Sequence, residues 1–277
     1  MKVLVTGANG YLGQGVVSRL LDLGHVVVAA DIATDSVDKR AERVACNIFD
    51  VDNPYDTFGK PEVLLHLAWR DGFVHYSDVH IEDLPKHYKF IKRFAESGVD
   101  RIAVMGSMHE VGFYEGSIKE ETPCNPLTPY GVSKNALRML TEEVCGQANK
   151  QVQWLRGFYI VGNSQRGSSV FSKIAAAEKC GDDEFPFTRG QNQFDFIDYA
   201  DFCNQVARTV SQDKVLGVIN ICSGHPEKLA DRVERFIHEN GFKIRLNYGA
   251  FPDRPYDSKA VWGDATKINM ILQESVV

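Results

Sequence analysis

Apolar runs of strand length recur along the chain: KVLVT (2–6), HVVVAAD (25–31), RVAC (43–46), EVLLHLA (62–68), RIAVMGS (101–107), VQWLRGF (152–158) and GVINIC (217–222). Runs that are apolar throughout, rather than alternating, are what strands buried on both faces look like. Between several of them the pattern turns helical. Leu12, Val16, Leu20 and Leu23 share a stripe that Gly24 can end, and LPKHYKFIKRFAESG (84–98) and NALRMLTEEVCGQAN (135–149) have helical composition. Alternating strand and helix predict an α/β fold with a doubly wound parallel sheet. The regularity breaks near VGNSQRGSS (161–169), a loop-like stretch followed by helical VFSKIAAAEKCG (170–181), and the last fifty residues mix a helix, a short strand and a polar loop. The expectation is a large domain over 1–160 that also receives about 193–222, and a smaller C-terminal lobe mainly over 161–277. No internal repeat or low-complexity tract interrupts this plan.

Composition narrows the class. A chain of 277 residues that is 44% hydrophobic can bury a proper core. A net charge of −6, without a basic stripe, argues against nucleic acid as a partner. The sequence runs from Met1 straight into a strand-like segment, and no apolar stretch approaches the ~18 residues of a membrane helix, so a cytoplasmic protein is expected. Cys46, Cys124, Cys145, Cys180, Cys203 and Cys222 lie far apart without CxxC spacing, which reads as reduced structural thiols and no metal site.

Two clusters carry chemistry. TGANGYLG (6–13) spaces Gly7, Gly10 and Gly13 by three residues between the first strand and the first helix. Side chains there would obstruct the tight turn, the approach of a pyrophosphate to backbone N–H groups, or helix packing, and the helix N-terminus favours an anion. With Asp31 ending the second strand, the context predicts dinucleotide binding by the large domain and a Rossmann-type fold. Asp31 suits a ribose diol and would repel a 2′-phosphate, which favours NAD over NADP, although Lys39 and Arg40 offer a phosphate an alternative. Further on, PYGVSK sets Tyr130 and Lys134 four residues apart, on one helical face. Lowering a tyrosine pKa from ~10 by ~3 units takes about 4 kcal/mol, which a nearby ammonium and an oxidised nicotinamide ring can supply together.

The order of glycine triplet, Asp31, HLA (66–68), Ser107 and Tyr-x-x-x-Lys resembles the extended short-chain dehydrogenase/reductase family, in its sugar-nucleotide epimerase, dehydratase and reductase branch. LRGFYIVG (155–162), FDFIDYADF (194–202), NICSG (220–224) and RPYDSKAVWGDATK (254–267) continue the resemblance in order. It implies Ser107, Tyr130 and Lys134 as catalytic residues: Ser107 bonds the oxygen at the reacting carbon, Tyr130 transfers the proton, and Lys134 lowers the Tyr130 pKa and holds the nicotinamide ribose. The implied cofactor contacts are Gly7, Asn9, Gly10, Tyr11, Leu12, Gly13, Asp31, Ile32, Asn47, Ile48, Leu67, Ala68, Trp69, Tyr130, Lys134 and Tyr159. The implied substrate contacts are Arg70, Ser107, Met108, His109, Tyr130, Arg189 and Arg254, with Arg166 a further candidate. A homodimer is implied as well.

Departures from the family pattern refine the reading. Met108 and His109 stand where a 4,6-dehydratase of this kind carries an Asp-Glu pair, and methionine cannot transfer a proton, so dehydration is disfavoured. Glu110, on extended backbone, is expected to point to the opposite side. His109 either assists at the sugar or fills the wall. Tyr159 replaces a substrate asparagine, Phe194 replaces a diphosphate arginine, and Trp69 and Arg70 replace smaller residues on the expected sugar side of the cleft. Three readings follow: an NAD(P)-dependent reductase of a nucleotide-linked 4-keto-6-deoxy sugar in deoxysugar or surface-polysaccharide biosynthesis, a sugar-nucleotide 4-epimerase that retains NAD, or a non-catalytic nucleotide-sensing protein.

Overall fold

The computed structural model describes residues 1–162, 169–252 and 258–274. In chain order the elements are β1 (Lys2–Thr6), α1 (Tyr11–Asp22), β2 (Val26–Asp31), β3 (Glu42–Ala45), α2 (Pro54–Thr57), β4 (Val63–His66), α3 (Val79–Ala95), β5 (Arg101–Ser107), β6 (Gly116–Ile118), α4 (Pro129–Gln147) and β7 (Gln151–Gly157). They continue with β8 (Tyr159–Val161), α5 (Val170–Cys180), β9 (Glu184–Phe187), β10 (Gln193–Asp198), α6 (Tyr199–Val210), β11 (Gly217–Ile221), β12 (Pro226–Lys228), α7 (Leu229–Glu239), β13 (Arg245–Tyr248), β14 (Ala260–Gly263) and α8 (Thr266–Glu274).

The seven apolar runs form one parallel seven-stranded sheet in the order β11-β7-β5-β4-β1-β2-β3. Side chains alternate across it, so each run feeds two cores. Val3, Val5, Leu65 and Met105 pack on one face with Val16 and Leu20 of α1, Phe202 and Val206 of α6, and Ile268 of α8. Leu4, Leu64, Ile102 and Trp154 pack on the other with Phe90 and Phe94 of α3 and Leu137 of α4. This is the Rossmann-type arrangement that the alternation predicts. β1 pairs with both β2 and β4, so the chain's winding reverses beside it and opens a crevice at the strands' carboxyl ends.

The second sheet, β12-β10-β14-β6 with β8 beside β10, and the pair β13-β9 flank that crevice with a third core around Phe171, Val233 and Phe236. β11 and α6 therefore stand with the large sheet, whereas β10 builds the small one. Two boundaries differ from the sequence expectation. α3 starts at Val79, so Pro85 lies inside it, although a proline reads most simply as a first-turn residue. The last fifty residues hold a second helix, α8, which closes the core beside α6. Among the described residues no helix is long and apolar enough to cross a membrane.

Candidate active site

The crevice begins at the glycine loop. Gly7 has φ +68°, and a side chain there would stand 2.6 Å from the Ala68 nitrogen. Gly13 faces the Gly7 carbonyl so closely that any Cβ would collide with it. Gly10 caps α1 without a side-chain hydrogen bond, and the first turn carries no acid, so the helix end keeps N–H groups for an anion. Asp31, at the carboxyl end of β2, accepts from the Asn9 and Ile32 nitrogens at 2.9 and 2.7 Å. Asn9 also accepts from the Ser36 nitrogen at 3.0 Å. The cradle fits a dinucleotide: glycine where a Cβ would fill it, a helix N-terminus for the phosphates and a carboxylate for the ribose diol. Arg40, the alternative phosphate ligand, is bound to Asp38 at 2.7 Å and Asp22 at 2.8 Å. These contacts hold the Asp38 carboxyl well below the usual range.

One glycine outside the triplet matters as much. Gly15 leaves no room for a Cβ beside Cys203 and the Tyr199 hydroxyl, each 2.6 Å away. That hydroxyl accepts from the Gly15 nitrogen at 3.1 Å and donates to the Tyr11 carbonyl at 2.6 Å. Tyr199 thereby ties α6 to the loop, and the Tyr11 ring lies tilted against its ring at 4.7 Å and 36°. Leu12 packs against the first core.

The candidate catalytic set converges from two elements. β5 ends on Ser107, whose Oγ accepts from the His109 nitrogen at 3.3 Å and caps a short 3-10 turn over 108–110. Thr128 caps α4 through the Gly131 nitrogen and Pro129 opens the helix, which places Tyr130 and Lys134 on its first turns. Burial pushes the Tyr130 phenol up to about 12, and a hydrogen bond with Ser107 works against that rise. Burial pushes the Lys134 ammonium down to about 7, with the Glu110 carboxylate pulling the other way. Lys134 Nζ donates to the Met105 carbonyl at 2.8 Å.

Histidines surround this pair. His75 stacks on the Tyr130 ring at 5.1 Å and 10°, and its carbonyl accepts from the Tyr130 nitrogen at 3.1 Å. His109 lies 4.3 Å from His75, 6.0 Å from Tyr130 and 6.4 Å from Tyr159, ring centre to ring centre, and burial lowers its pKa to about 4. Behind them Thr6, His66 and His87 form a hydrogen-bonded chain with 2.8 Å steps. Among the described residues no group of His, Cys, Asp or Glu is placed to hold a metal, and the six cysteines are free thiols.

Several predicted contacts sit differently. Met108 is buried in the first core, beside the site rather than presented to it, because the backbone turns after Ser107. The same 3-10 turn replaces the extended backbone expected at Glu110. Its carboxylate is fully buried and receives Arg156 at 2.7 Å and Trp154 at 3.0 and 2.9 Å. Trp69 lies over Lys134, 3.7 Å from Nζ to ring centre, rather than on the sugar side alone. Arg70 pairs with Asp83 on α3 at 2.6 Å. Asn47 caps the turn over 48–50 through the Phe49 nitrogen and donates to Asp50, and Ile48 is buried in the second core. Ile32 is exposed beside Asp31, whereas Leu67 and Ala68 follow β4 against Gly7. Tyr159, on β8, packs against Phe194 at 4.9 Å, so two of the residues that depart from the family pattern form one aromatic wall. Arg189 is exposed after β9. Arg166 and Arg254 lie outside the described residues. Sequence reasoning missed His75, His80, His87, Gly15 and Tyr199. The cluster of histidines in 66–87 is the one signal that pointed to the first three.

The chain matches the model of the NAD dependent epimerase/dehydratase family over residues 3–222. It is 40% identical, over 95% of its length and 99% of the relative's, to a protein of Aggregatibacter actinomycetemcomitans named dTDP-6-deoxy-L-talose 4-dehydrogenase (NAD(+)). A UDP-glucose 4-epimerase of Lactobacillus helveticus is 23% identical over 98% of this chain and 91% of its own. Among solved structures, UDP-glucuronic acid 4-epimerase from Bacillus cereus, in complex with UDP-glucuronic acid and NAD, superposes with a TM-score of 0.83 at 21% identity. The match covers 99% of this chain and 93% of that one, a likeness of fold.

Proposed function

The chain belongs to the NAD dependent epimerase/dehydratase family, and on that premise we propose that it is an NAD-dependent oxidoreductase acting at C4 of a nucleotide-linked 6-deoxy sugar. Its biosynthetic direction is reduction of the 4-ketone, in deoxysugar or surface-polysaccharide assembly. The observation that carries this reading is the meeting of Ser107, Tyr130 and Lys134 at the crevice, with a buried methionine where dehydration would need a carboxylate. The 4-dehydrogenase named above supports it at 40% identity. When bound, the nicotinamide would exchange hydride with the sugar carbon. The chain's own residues do the rest. Tyr130, held protonated by its surroundings, is a loaded acid that gives its proton to the carbonyl oxygen as that oxygen gains charge. Ser107 donates a hydrogen bond to the same oxygen, and Lys134 sits where its charge stabilises the phenolate left behind.

Gly7, Gly10, Gly13 and Asp31 would hold the dinucleotide, with NAD preferred because Arg40 is already paired. The division into a dinucleotide-binding domain over 1–160, joined by α6 and β11, and a substrate lobe mainly over 161–277 that keeps β10 belongs to the same proposal, as does a cytoplasmic setting. Ile81 on α3 and Val132 and Met139 on α4 expose apolar surface, which supports a homodimer through these helices. A 4-epimerase is the second reading, favoured by Asp31 and opposed by the Phe194–Tyr159 wall in place of an arginine and an asparagine. Purified protein, freed of nucleotide and supplied with NADH or NADPH, is expected to oxidise NADH with 4-keto-6-deoxy sugar nucleotides. Failure with every such ketosugar would remove the proposal. NAD released stoichiometrically on denaturation, with epimers interconverting in the absence of added cofactor, would favour the second reading.

A further inference from the structure

Lys134 is buried at 4% exposure and must carry a positive charge to serve Tyr130. Its Nζ lies 3.7 Å from the centre of the Trp69 ring, far inside the 5.9 Å to the Tyr130 ring. We propose that Trp69 is a positioning residue for the catalytic lysine, its indole face being the seat that keeps the Lys134 ammonium charged and in place beside Tyr130. A cation within about 6 Å of an aromatic centre is drawn to the negative face of the ring, most strongly for tryptophan and where water is excluded. Both conditions hold here.

The plate itself is fixed. Trp69 Nε1 donates to His80 Nδ1 at 3.0 Å, so the His80 hydrogen is on Nε2, which donates to the Val74 carbonyl at 2.9 Å. The indole also stacks on His87 at 4.5 Å and 17°. His87 is held by His66 and His66 by Thr6, so the seat is tied to β1 and β4. Trp69 directly follows HLA, where the resembling family carries a smaller residue, so the seat is a feature of this chain.

The titratable groups that face Lys134 are Tyr130 on its own helix, Glu110 in the turn after β5, His66 at the end of β4 and His87 on α3. Glu110 favours the ammonium, while His66 and His87 are kept neutral by burial and by the ammonium itself. Burial lowers the Lys134 pKa to about 7, so a further change on removing the indole falls within an accessible pH range.

The test reads the lysine directly, on the full chain without substrate. The Lys134 Cε chemical shift, followed by NMR of the 13C-lysine-labelled protein between about pH 5 and 10 and assigned with Lys134→Arg, gives its titration midpoint. Trp69→Leu is expected to lower that midpoint by about one unit. Trp69→Phe keeps a ring but loses the bond to His80, and is expected to lower it by less than half as much. An unchanged midpoint in Trp69→Leu, or equal shifts in both variants, would overturn the proposal. Should Trp69→Leu not fold, biosynthetic fluorotryptophans preserve shape and N–H, and stepwise fluorination is then expected to lower the midpoint stepwise. A flat series would equally overturn it. The inference rests on the oxidoreductase reading only in naming Lys134 catalytic, and the titration outcome stands whichever substrate the enzyme takes.

Discussion

Tyr130 and Lys134 are perturbed in opposite directions by one cause, the withdrawal of water from the end of β5. The phenol rises to about 12 and the ammonium falls to about 7, so each charge is disfavoured until the other is present. A protonated tyrosine is the form a ketone reduction consumes. Tyr130→Phe is expected to lower kcat about 10²–10⁴-fold while leaving nucleotide binding within a few-fold, measured by NADH absorbance and by fluorescence titration. Retained turnover would remove Tyr130 from the proton path. Asp31 acts at the other end of the crevice, where its two oxygens already orient the Asn9 and Ile32 nitrogens. Asp31→Ser should weaken NADH about tenfold and narrow the preference over NADPH, as one charge-assisted ribose contact is lost. Equal affinities in variant and parent would mean the carboxylate does not read the ribose.

The turn after β5 shows how one element positions another. Glu110 descends from that turn into the core and meets Arg156 and Trp154 of β7. Breaking such a buried pair leaves an uncompensated guanidinium, so Glu110→Ala is expected to cost about 3–5 kcal/mol in denaturant unfolding. A loss below 1 kcal/mol would show that the pair does not anchor the turn. The long elements were legible because a strand buried on both faces is apolar over most of its length, as at VLLH (63–66) and RIAVMGS (101–107). The small sheet was not. β6, β8 and β12 have three residues each, too few to display a period, and they exist through pairing with β10 and β14. The same holds in the site. Ser107, Tyr130 and Lys134 were legible through spacing and order, whereas His75 reaches Tyr130 from a loop and Tyr199 reaches Gly15 from α6. Contacts that chain separation hides leave no local pattern. Met108 and Glu110 were misplaced for a related reason, since a 3-10 turn interrupts the alternation that a strand would have continued.

Across the molecule, the parallel sheet gathers the ends of β1, β2, β4 and β5 into one crevice, and the small sheet closes it with an aromatic wall. Five of the eight histidines lie along the catalytic side, and burial lowers the pKa of His66, His75, His87 and His109, with His87 near 3 and His109 near 4. In the unfolded chain these groups bind protons near pH 6.5, so between pH 6.5 and 4 the unfolded state binds more protons and stability falls as pH falls. His87 alone should contribute a loss of about 3 kcal/mol between pH 7 and pH 4. Lys134 has the same sign over a higher window, with stability rising from about pH 7 to 10. Urea unfolding at pH 7 and pH 5 is expected to show a lower midpoint at pH 5, and a higher midpoint there would contradict the buried neutral histidines. The proposed reaction is a hydride exchange at C4 between an exchanging cofactor and a 6-deoxy sugar nucleotide. Its most direct measurement is to incubate the enzyme with a 4-keto-6-deoxy sugar nucleotide and NADH carrying deuterium at the transferable position, then locate the label by NMR. One deuterium on C4 is expected for each NADH consumed. A product whose C4 carries no deuterium, or no product at all, would contradict it.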